Sequence, residues 1–278
     1  MKLFRFGPAG AEKPGIVDAK GVHRDLSKVI GDIDPARIAA DLTGKLTDVD
    51  LTTLPEVPKA TRFGPCIGAP GNFLAIGLNY VQHAKETNAP LPAEPILFAK
   101  APSCIVGPDD DIVLPRGSTK TDWEVELALV IGKRAHYVSE AEALSYVFGY
   151  CVCNDVSERA FQLERGGQWM KGKCAPSFGP LGPYLVTADE IPDPQRLSLW
   201  LEVNGERVQN SDTSDMIFPI SKIVSYLSEF MILLPGDVIT TGTPPGVGLG
   251  MKPERYLKHG DSVRLSVEGL GVQTQRVA

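Results

Sequence analysis

The segment 122–131 constrains the fold more than any other part of this sequence. It has the sequence Asp-Trp-Glu-Val-Glu-Leu-Ala-Leu-Val-Ile, and its β-branched and apolar residues predict a strand over residues 123–131. Apolar residues occupy both faces of that strand beyond Glu126. Because such a strand is stable only when it is covered on both sides, we expect it at the centre of a sheet.

Short strands separated by Gly and Pro fill most of the chain after residue 66. The same kind of pattern predicts further strands at 73–76, 96–99, 150–153, 197–203, 237–241, 263–267 and 272–277. Helices are few: Ser139 and Glu142 have the spacing of a capping box, and residues 220–227 carry an apolar stripe with helical spacing. Many strands with few helices predict a β-rich α+β fold with a barrel-like or rolled-sheet core.

The N-terminal part of the chain is predicted to be a small domain and linker, residues 1–65, followed by a large domain over residues 66–278. A strand at residues 3–6 and a short helix at residues 35–42, with Asp34 as its N-cap, are expected in the small domain. Prolines at positions 55, 58 and 65 are typical of a linker.

Carboxylates on the predicted central strand are the first candidate site. Side chains two apart in a strand point to the same face, so Glu124 and Glu126 are expected roughly 6–7 Å apart along the chain. Buried carboxylates are costly unless they are paired or bind a metal, and Asp155, after the strand at 150–153, would supply a third ligand. Three carboxylates suit Mg²⁺ or Mn²⁺ better than zinc. Two alternatives stay open: the glutamates are solvated at an exposed strand end, or Asp155 is only a helix N-cap.

His83 and Glu86 are the second candidate group. The two residues are three apart, so on a helical turn their side chains are neighbours. A carboxylate beside an imidazole is the arrangement of a general base. The alternative is an ordinary surface pair. Lys173 lies in a Gly-rich loop, where most lysines are simply solvated. The Gly-rich segment 240–248 lets the backbone approach a ligand, and Thr243 there could offer a hydroxyl to a carboxylate.

Charge and composition exclude several classes of function. The net charge of −6 lacks the basic excess of nucleic-acid binding, and no run of about 18 apolar residues is present to span a membrane. The N-terminus has no signal-peptide pattern, and the five cysteines have no zinc-ligand spacing. We therefore expect a cytoplasmic protein with neither a nucleic-acid nor a membrane partner.

A series of motifs follows in order along residues 66–278. They are Gly77-Leu78-Asn79-Tyr80 with His83 and Glu86, Asp122-Trp123-Glu124-Val125-Glu126-Leu127, Asn154-Asp155-Val156-Ser157-Glu158-Arg159 with Gln162, Gly172-Lys173, Pro180-Leu181-Gly182-Pro183, and Gly242-Thr243-Pro244-Pro245-Gly246-Val247-Gly248. With these motifs the chain resembles the fumarylacetoacetate hydrolase family. The resemblance implies a mixed β-roll core with a small N-terminal domain, and a homodimer.

The resemblance also implies roles for ten residues. It implies Mg²⁺ or Mn²⁺ on Glu124, Glu126 and Asp155, a water-activating dyad of His83 and Glu86 with Lys173 as a catalytic cation, and substrate contacts from Tyr80, Arg159, Gln162 and Thr243. The sequence departs from the family pattern in two places. Gln82 stands where many members carry an acid, and residues 174–177 replace the usual aromatic-Asp-Thr run after the lysine.

The function that the resemblance implies is metal-dependent hydrolysis of a C–C bond in a small 2,4-dioxo acid of the acylpyruvate type. Water activated by His83 would attack the 4-oxo carbon, giving pyruvate and a carboxylate. The same site could instead support hydratase, isomerase, decarboxylase or ureidoglycolate-lyase chemistry on a 2-oxo or 2-hydroxy acid. Among members, the sequence most resembles those acting on 2,4-dioxo sugar acids or named ureidoglycolate lyase. A non-catalytic, metal-stabilised binding protein is the alternative of another class, but it would not need His83, Glu86 and Lys173 together.

Overall fold

The computed structural model describes all residues from 1 to 278, in seventeen strands and seven α-helices. The strands are β1 (Lys2–Phe6), β2 (Lys13–Val17), β3 (His23–Asp25), β4 (Phe73–Gly77), β5 (Ile96–Lys100), β6 (Ile105–Val106), β7 (Thr121–Asp122), β8 (Val125–Ile131), β9 (Val147–Asn154), β10 (Ser157–Glu158), β11 (Gly179–Pro180), β12 (Leu185–Thr187), β13 (Ser198–Val203), β14 (Glu206–Asp212), β15 (Val238–Thr240), β16 (Ser262–Val267) and β17 (Gly271–Arg276). The α-helices are α1 (Pro35–Ala39), α2 (Leu42–Thr47), α3 (Val81–Glu86), α4 (Glu140–Ala143), α5 (Arg159–Leu163), α6 (Met170–Lys173) and α7 (Ile220–Phe230). Short 3₁₀ helices are Leu51–Thr53, Pro102–Cys104, Leu144–Tyr146, Ala188–Glu190, Thr213–Asp215 and Gly248–Gly250.

A nine-stranded sheet is the centre of the fold, with the strand order β3-β2-β1-β12-β9-β8-β15-β4-β5. Within it β15 and β4 are parallel, and the other neighbouring strands are antiparallel. All seven residues of β8 are buried. The prediction of a central strand covered on both faces is therefore confirmed.

The start of this central strand differs from the prediction. The predicted strand begins at residue 123, whereas Trp123 and Glu124 form a break between β7 and β8. The break arises because the Glu124 N–H donates to the side-chain oxygen of Asn154, at 3.1 Å, instead of to a backbone carbonyl. The carbonyl of Glu124 still accepts from the N–H of Asp155 at 2.9 Å, so the two chain segments stay together.

A four-stranded antiparallel sheet, in the order β14-β13-β16-β17, packs against the central strands. The turn from β13 to β14 is made by Asn204 and Gly205, both at positive φ, as expected for an Asn-Gly hairpin. β13 and β16 contact β8, and β16 and β17 contact β9. The strand-rich mixed fold is confirmed. Because the edge strands β3 and β5 do not pair with each other, the large sheet is an open roll and not a closed barrel.

The N-terminal residues extend the same large sheet. β1 pairs with β12 in antiparallel register, and side chains such as Leu3, Ile16 and Leu26 belong to the main apolar core. Asp34 caps α1 by accepting the N–H of Arg37 at 2.9 Å, as predicted. The domain boundary at residue 65 stays a prediction.

The two helices predicted from pattern have different outcomes. The apolar stripe of α7 is confirmed, since Ile220, Ile223 and Leu227 are buried. The capping box is wrong: the Ser139 hydroxyl donates to the Glu142 carboxylate at 2.6 Å, no side chain caps the backbone, and α4 has only four residues. No helix of the structure combines the length and the apolar character that crossing a membrane requires.

Candidate active site

Three buried carboxylates converge where β8 begins and β9 ends. Glu124 precedes β8, Glu126 is its second residue, and Asp155 follows β9. The antiparallel register places Val125 opposite Asn154, which brings these side chains together. Each carboxylate is at most 4% exposed, and one oxygen from each lies within 4.8 Å of the others. The break before β8 therefore does not separate the two glutamates.

Three buried cations hold two of these carboxylates. Lys173 Nζ donates to Glu124 Oε2 at 2.7 Å and to Asp155 Oδ2 at 2.8 Å. Arg159 Nη2 donates to Glu124 Oε1 at 2.6 Å. Lys100 Nζ donates to Asp155 Oδ1 at 2.6 Å and to the carbonyl oxygen of Lys173 at 2.5 Å. Both oxygens of Glu124 and both oxygens of Asp155 thus accept from a cation.

Glu126 has a different environment. Its only donor is the backbone N–H of Gly242, which is 2.9 Å from Oε2. Burial, reinforced by the charges of Asp155 and Glu124, raises the pKa of Glu126 well above its ordinary value. Burial acts in the same direction on Glu124, but the neighbouring guanidinium and ammonium groups outweigh it and hold the pKa of Glu124 well below its ordinary value. One carboxylate of the three therefore lacks a counter-charge.

This donor set fits a hard divalent cation. Mg²⁺ takes an octahedron of oxygens at about 2.0–2.1 Å, so its ligand oxygens lie up to roughly 4.2 Å apart. Neighbouring ligands of such an octahedron lie only about 2.9 Å apart, so the triad oxygens, which lie within 4.8 Å of one another, would draw closer together around a bound ion. Carboxylates without His or Cys favour Mg²⁺ or Mn²⁺ over structural zinc. Such an ion would be held by Glu124, Glu126 and Asp155, and it would supply the counter-charge that Glu126 lacks.

His83 and Glu86 lie together on α3, as the sequence spacing predicts. His83 Nδ1 is 3.2 Å from Glu86 Oε2, and Glu86 Oε1 accepts the N–H of Gly246 at 2.9 Å. A Cβ on Gly250 would overlap the Glu86 carboxyl group, so the Gly-rich loop closes tightly over this residue. Because Glu86 occupies Nδ1, Nε2 is the ring nitrogen left to accept a proton. His83 lines the same cavity as the three carboxylates.

The cavity has a volume of about 320 Å³, and its lining residues are of two contrasting chemical kinds, which meet where Lys173 Nζ lies over the Phe98 ring at 5.2 Å from the centroid. The charged base of the cavity consists of Glu124, Glu126, Asp155, Arg159 and Lys173. Its apolar wall consists of Ile76, Leu78, Ala89, Ile96, Phe98, Leu163, Trp169 and Leu249. His83, Gln162, Thr87 and Thr243 complete the polar lining.

Arg159 and Gln162, two of the predicted substrate contacts, reach the cavity as a connected pair. Arg159 Nε donates to Asp122 at 2.9 Å and Nη1 donates to Gln162 Oε1 at 3.1 Å. With its bond to Glu124, the guanidinium contacts three side chains of the protein, so it orients Glu124. Because Gln162 Oε1 accepts from Arg159, the amide NH₂ of Gln162 is left to donate to a ligand. The substrate contact of Gln162 stays a prediction.

Thr243 lines the cavity, but its hydroxyl is already engaged. Thr243 Oγ1 donates to the carbonyl of Val125 at 2.9 Å and accepts from Gln209 Nε2 at 2.9 Å. The predicted donation of this hydroxyl to a substrate carboxylate would need its donation to Val125 to be given up, because a hydroxyl has a single hydrogen to donate. Thr243 instead fixes the Gly-rich loop to the start of β8.

Tyr80 and Glu86 are the two predicted site residues that do not line the cavity, and of these Glu86 still contacts His83, which does. The side chain of Tyr80 is completely buried. The chain turns at Leu78, which has a positive φ of 52°, and this turn directs Leu78 to the cavity and Tyr80 to the core. The substrate contact of Tyr80 stays a prediction, which its buried position does not support.

Sequence reasoning missed Lys100 and Asp122. Lys100 ends β5 and is 1% exposed; a lysine at the end of the run Ile-Leu-Phe-Ala was the available signal. Asp122 accepts from Arg159 Nε and from the N–H groups of Gly248 and Leu249, at 2.7 and 3.0 Å. Burial raises the pKa of Asp122, although Arg159 opposes this shift. Both residues support the charged base from outside the cavity lining.

The family of the chain is shown by its match to a known family pattern. The pattern described as "Fumarylacetoacetate (FAA) hydrolase C-terminal" matches residues 72–278, which is more than half of the chain and contains the three carboxylates, the dyad and Lys173. The chain belongs to the fumarylacetoacetate hydrolase family.

Relatives within the fumarylacetoacetate hydrolase family match over their whole length. A protein of Burkholderia cenocepacia (strain HI2424) named "Putative hydrolase" is 56% identical, covering 99% of this chain and 98% of that protein. The structure of a 2-hydroxyhepta-2,4-diene-1,7-dioate isomerase from Mycobacterium marinum is 33% identical, with a TM-score of 0.78. The match covers 100% of this chain and 98% of the isomerase. Maleylpyruvate hydrolase from Sphingobium sp. SYK-6, solved with manganese(II) and pyruvate, is 27% identical, with a TM-score of 0.84 and coverage of 100% and 99%.

These solved relatives are enzymes, and they include both a hydrolase and an isomerase. Fumarylacetoacetate hydrolase family members act on oxo acids, and one of them binds manganese(II). In the present chain the buried acidic triad is able to hold a divalent metal ion.

Proposed function

We propose that this chain is a divalent-metal-dependent hydrolase that cleaves the C3–C4 bond of a small 2,4-dioxo acid, giving pyruvate and a carboxylate. The observation that carries the proposal is that His83, paired with Glu86, lines the same cavity as the three carboxylates. A metal-stabilised binding protein would need the carboxylates alone. A paired imidazole beside them serves a reaction in which a proton moves.

Glu124, Glu126 and Asp155 would hold Mg²⁺ or Mn²⁺. When bound, the ion supplies positive charge that stabilises negative charge developing on the substrate oxygens. Lys173 lies beside two of these ligands, so its ammonium adds positive charge where the substrate carboxylate would bind. The amide NH₂ of Gln162, whose Oε1 already accepts from Arg159, would donate a hydrogen bond to an oxo group.

His83 would act through Nε2. The Glu86 carboxylate binds Nδ1, which fixes the ring and stabilises the imidazolium that forms when Nε2 takes a proton from water. The hydroxide forms a bond to C4, and the C3–C4 bond then breaks with its electron pair going to C3. A proton returned to C3 completes pyruvate, and C4 leaves as the carboxylate of the acyl group.

The test is metal-dependent release of pyruvate from acetylpyruvate and longer acylpyruvates. Loss of the 2,4-dioxo absorbance is followed alongside pyruvate, which lactate dehydrogenase detects. We expect one pyruvate for each dioxo acid consumed, no reaction with a chelator, and recovery when Mg²⁺ or Mn²⁺ is added in excess. A metal-loaded protein that releases no pyruvate from any acylpyruvate would contradict the proposal.

An isomerase is the second candidate, favoured by the 33% identity to the Mycobacterium marinum enzyme. Isomerisation of an oxo acid would use His83 to move a proton between carbons and would need no water. The same experiment separates the two functions, because an isomerase changes the absorbance without releasing pyruvate.

The proposal includes a homodimer and a cytoplasmic location, both drawn from the sequence expectations. Light scattering during size-exclusion chromatography would test the first, and cell fractionation would test the second.

A further inference from the structure

We infer that the acyl group beyond C4 of the substrate is uncharged and apolar. The inference rests on the proposed function, since it places the 2-oxo-acid end of the substrate on the charged base. The remainder of the substrate then has to lie along the apolar wall. That placement specifies a substrate class: 2,4-dioxo acids with an alkyl or aryl acyl group.

Aromatic rings and aliphatic side chains form this wall. Phe98 and Trp169 pack edge to face with ring centroids 5.4 Å apart. The indole of Trp169 fills the space next to Gly77, where a Cβ would overlap it. Leu163 is 47% exposed, although it lines the cavity. Ligand pockets are typically lined by such apolar and aromatic side chains.

The distribution of charge points the same way. The lining contains one lysine, Lys173, and one arginine, Arg159. Both belong to the charged base and are already bonded to carboxylates. The only other cationic or imidazole side chain in the whole lining is His83. Thr87 also lines the cavity, but its hydroxyl donates to the carbonyl of His83 at 3.0 Å.

A second carboxylate on the acyl group would therefore lose its hydration without gaining a cation. The same reasoning disfavours a polyhydroxylated acyl group, and hence the 2,4-dioxo sugar acids that the sequence resemblance suggested. The cavity volume of about 320 Å³ is near the lower limit for small-molecule sites, which suits a short alkyl or single-ring acyl group.

The first test compares kcat/KM along a series of acylpyruvates with the metal-loaded protein. From acetyl to pentanoyl we expect a rise of up to about fourfold for each methylene, the value of burying one CH₂. Succinylpyruvate, which carries a carboxylate at the end of an acyl chain of similar length, should fall below pentanoylpyruvate by roughly 100-fold or more. Equal or higher kcat/KM for succinylpyruvate would overturn the inference.

The second test changes the wall at Leu163. Leu163→Arg adds a cation where the acyl group is placed, and Leu163→Gln removes the same apolar side chain without adding charge. We expect the succinyl-to-pentanoyl ratio to be at least about tenfold higher in Leu163→Arg than in Leu163→Gln, since an ion pair replaces an unpaired carboxylate. Leu144→Arg, at another exposed leucine outside this cavity, should leave the ratio unchanged. Equal ratios in the two Leu163 variants would overturn the assignment of the acyl group to this wall.

A binding experiment distinguishes failure of this inference from failure of the proposed function. Calorimetry with the Mn²⁺-loaded protein compares 2-oxooctanoate with 2-oxoadipate, neither of which can undergo the proposed cleavage. If no acylpyruvate is hydrolysed, the proposed function fails, yet tighter binding of 2-oxooctanoate still supports an apolar tail. Equal or tighter binding of 2-oxoadipate overturns the inference whether or not hydrolysis is observed.

Discussion

The charged base and the apolar wall form two parts of one cavity, but they are held together by different physics. In the base, Lys173 bonds two carboxylates at once and Arg159 bonds Glu124 as well as Asp122. Removal of one member leaves its partners buried and unpaired. Substitutions in the base should therefore have large effects, and the effects of two substitutions should depend on each other. The wall acts through apolar surface, whose contributions are small and roughly proportional to area. Substitutions in the wall should have small effects that are nearly additive.

Glu126→Gln should have the largest effect and is the strongest test of the base. Substitution of a residue that only hydrogen-bonds a metal ligand weakens metal binding by up to about 100-fold. Loss of a ligand itself should weaken Mg²⁺ or Mn²⁺ binding by more than that, and activity should be lost with the metal. The metal-free variant should be at least as stable as the parent at pH 8, since burial raises the pKa of Glu126 and its charged form is unfavourable.

For Glu126→Gln, calorimetric titration measures the metal affinity, and thermal unfolding in the presence of a chelator measures the stability of the metal-free protein. Glu229→Gln, at an exposed position, is the matched control. Undiminished metal affinity would remove Glu126 from the site.

His83→Ala should lower kcat by about 10²–10⁴-fold, because positioned proton transfer contributes that much, while metal affinity stays near that of the parent. Glu86→Gln should impair the same step. Since the two residues act as a unit, the double variant should lose less than the product of the separate losses. Multiplicative losses, or near-normal turnover in His83→Ala, would remove the dyad from the mechanism.

Lys100→Met tests whether the base is as strongly coupled as its contacts indicate. The ammonium of Lys100 is buried and bonds Asp155, so its removal should lower the free energy of unfolding of the metal-free protein by about 3–5 kcal/mol. Lys120 also bonds a carboxylate, Glu164, but this pair is exposed, and Lys120→Met should cost less than about 1 kcal/mol. Chemical denaturation of both variants gives the comparison, and similar small losses would show that the base is not coupled.

Metal affinity should increase as pH rises. Burial raises the pKa of Glu126, and a metal ligand has to be deprotonated, so at any pH below that pKa binding should release a proton and strengthen by up to about tenfold per pH unit. The sign for stability is opposite: a raised folded-state pKa contributes stability at acidic pH that is lost as pH rises toward that pKa. Calorimetry in buffers of different ionisation enthalpy measures how many protons are released when the metal binds. Glu126→Gln should abolish this release.

The smallest effects are expected in the apolar wall. Leu249→Ala keeps the backbone N–H that bonds Asp122 and should lower kcat/KM for pentanoylpyruvate within about tenfold, with metal affinity unchanged. The combination with Leu163→Ala should be close to the product of the single effects. A strongly non-additive pair, or a loss of metal binding, would show that the wall and the base are not separate parts.

The charged base could be predicted from sequence far better than the wall. Glu124, Glu126 and Asp155 are acidic residues in or next to apolar strands, and such residues are noticeable because burial without a partner is unfavourable. Leu163, Trp169 and Leu249 are ordinary residues in their own segments, and only the fold brings them to one cavity. Apolar side chains carry no local signal that separates a wall from a core.

Two further residues show the limits of local pattern. Tyr80 was predicted to contact substrate from its place in a motif, but the positive φ at Leu78 directs it to the core, and no spacing rule contains that turn. Lys100 was missed because its role depends on Asp155, which is 55 positions later. Strand positions, the Asn-Gly hairpin and the stripe of α7 were predictable because each depends on neighbouring residues.

The loop from Gly242 to Leu249 has a consequence for mutational tolerance. It holds three carboxylates through main-chain N–H groups: Gly242 bonds Glu126, Gly246 bonds Glu86, and Gly248 with Leu249 bonds Asp122. Cβ atoms at Gly246 and Gly248 would overlap the backbone of neighbouring segments. A saturation scan should therefore find this loop intolerant at its glycines, because the contacts to the carboxylates depend on a backbone path that leaves no room for a side chain there.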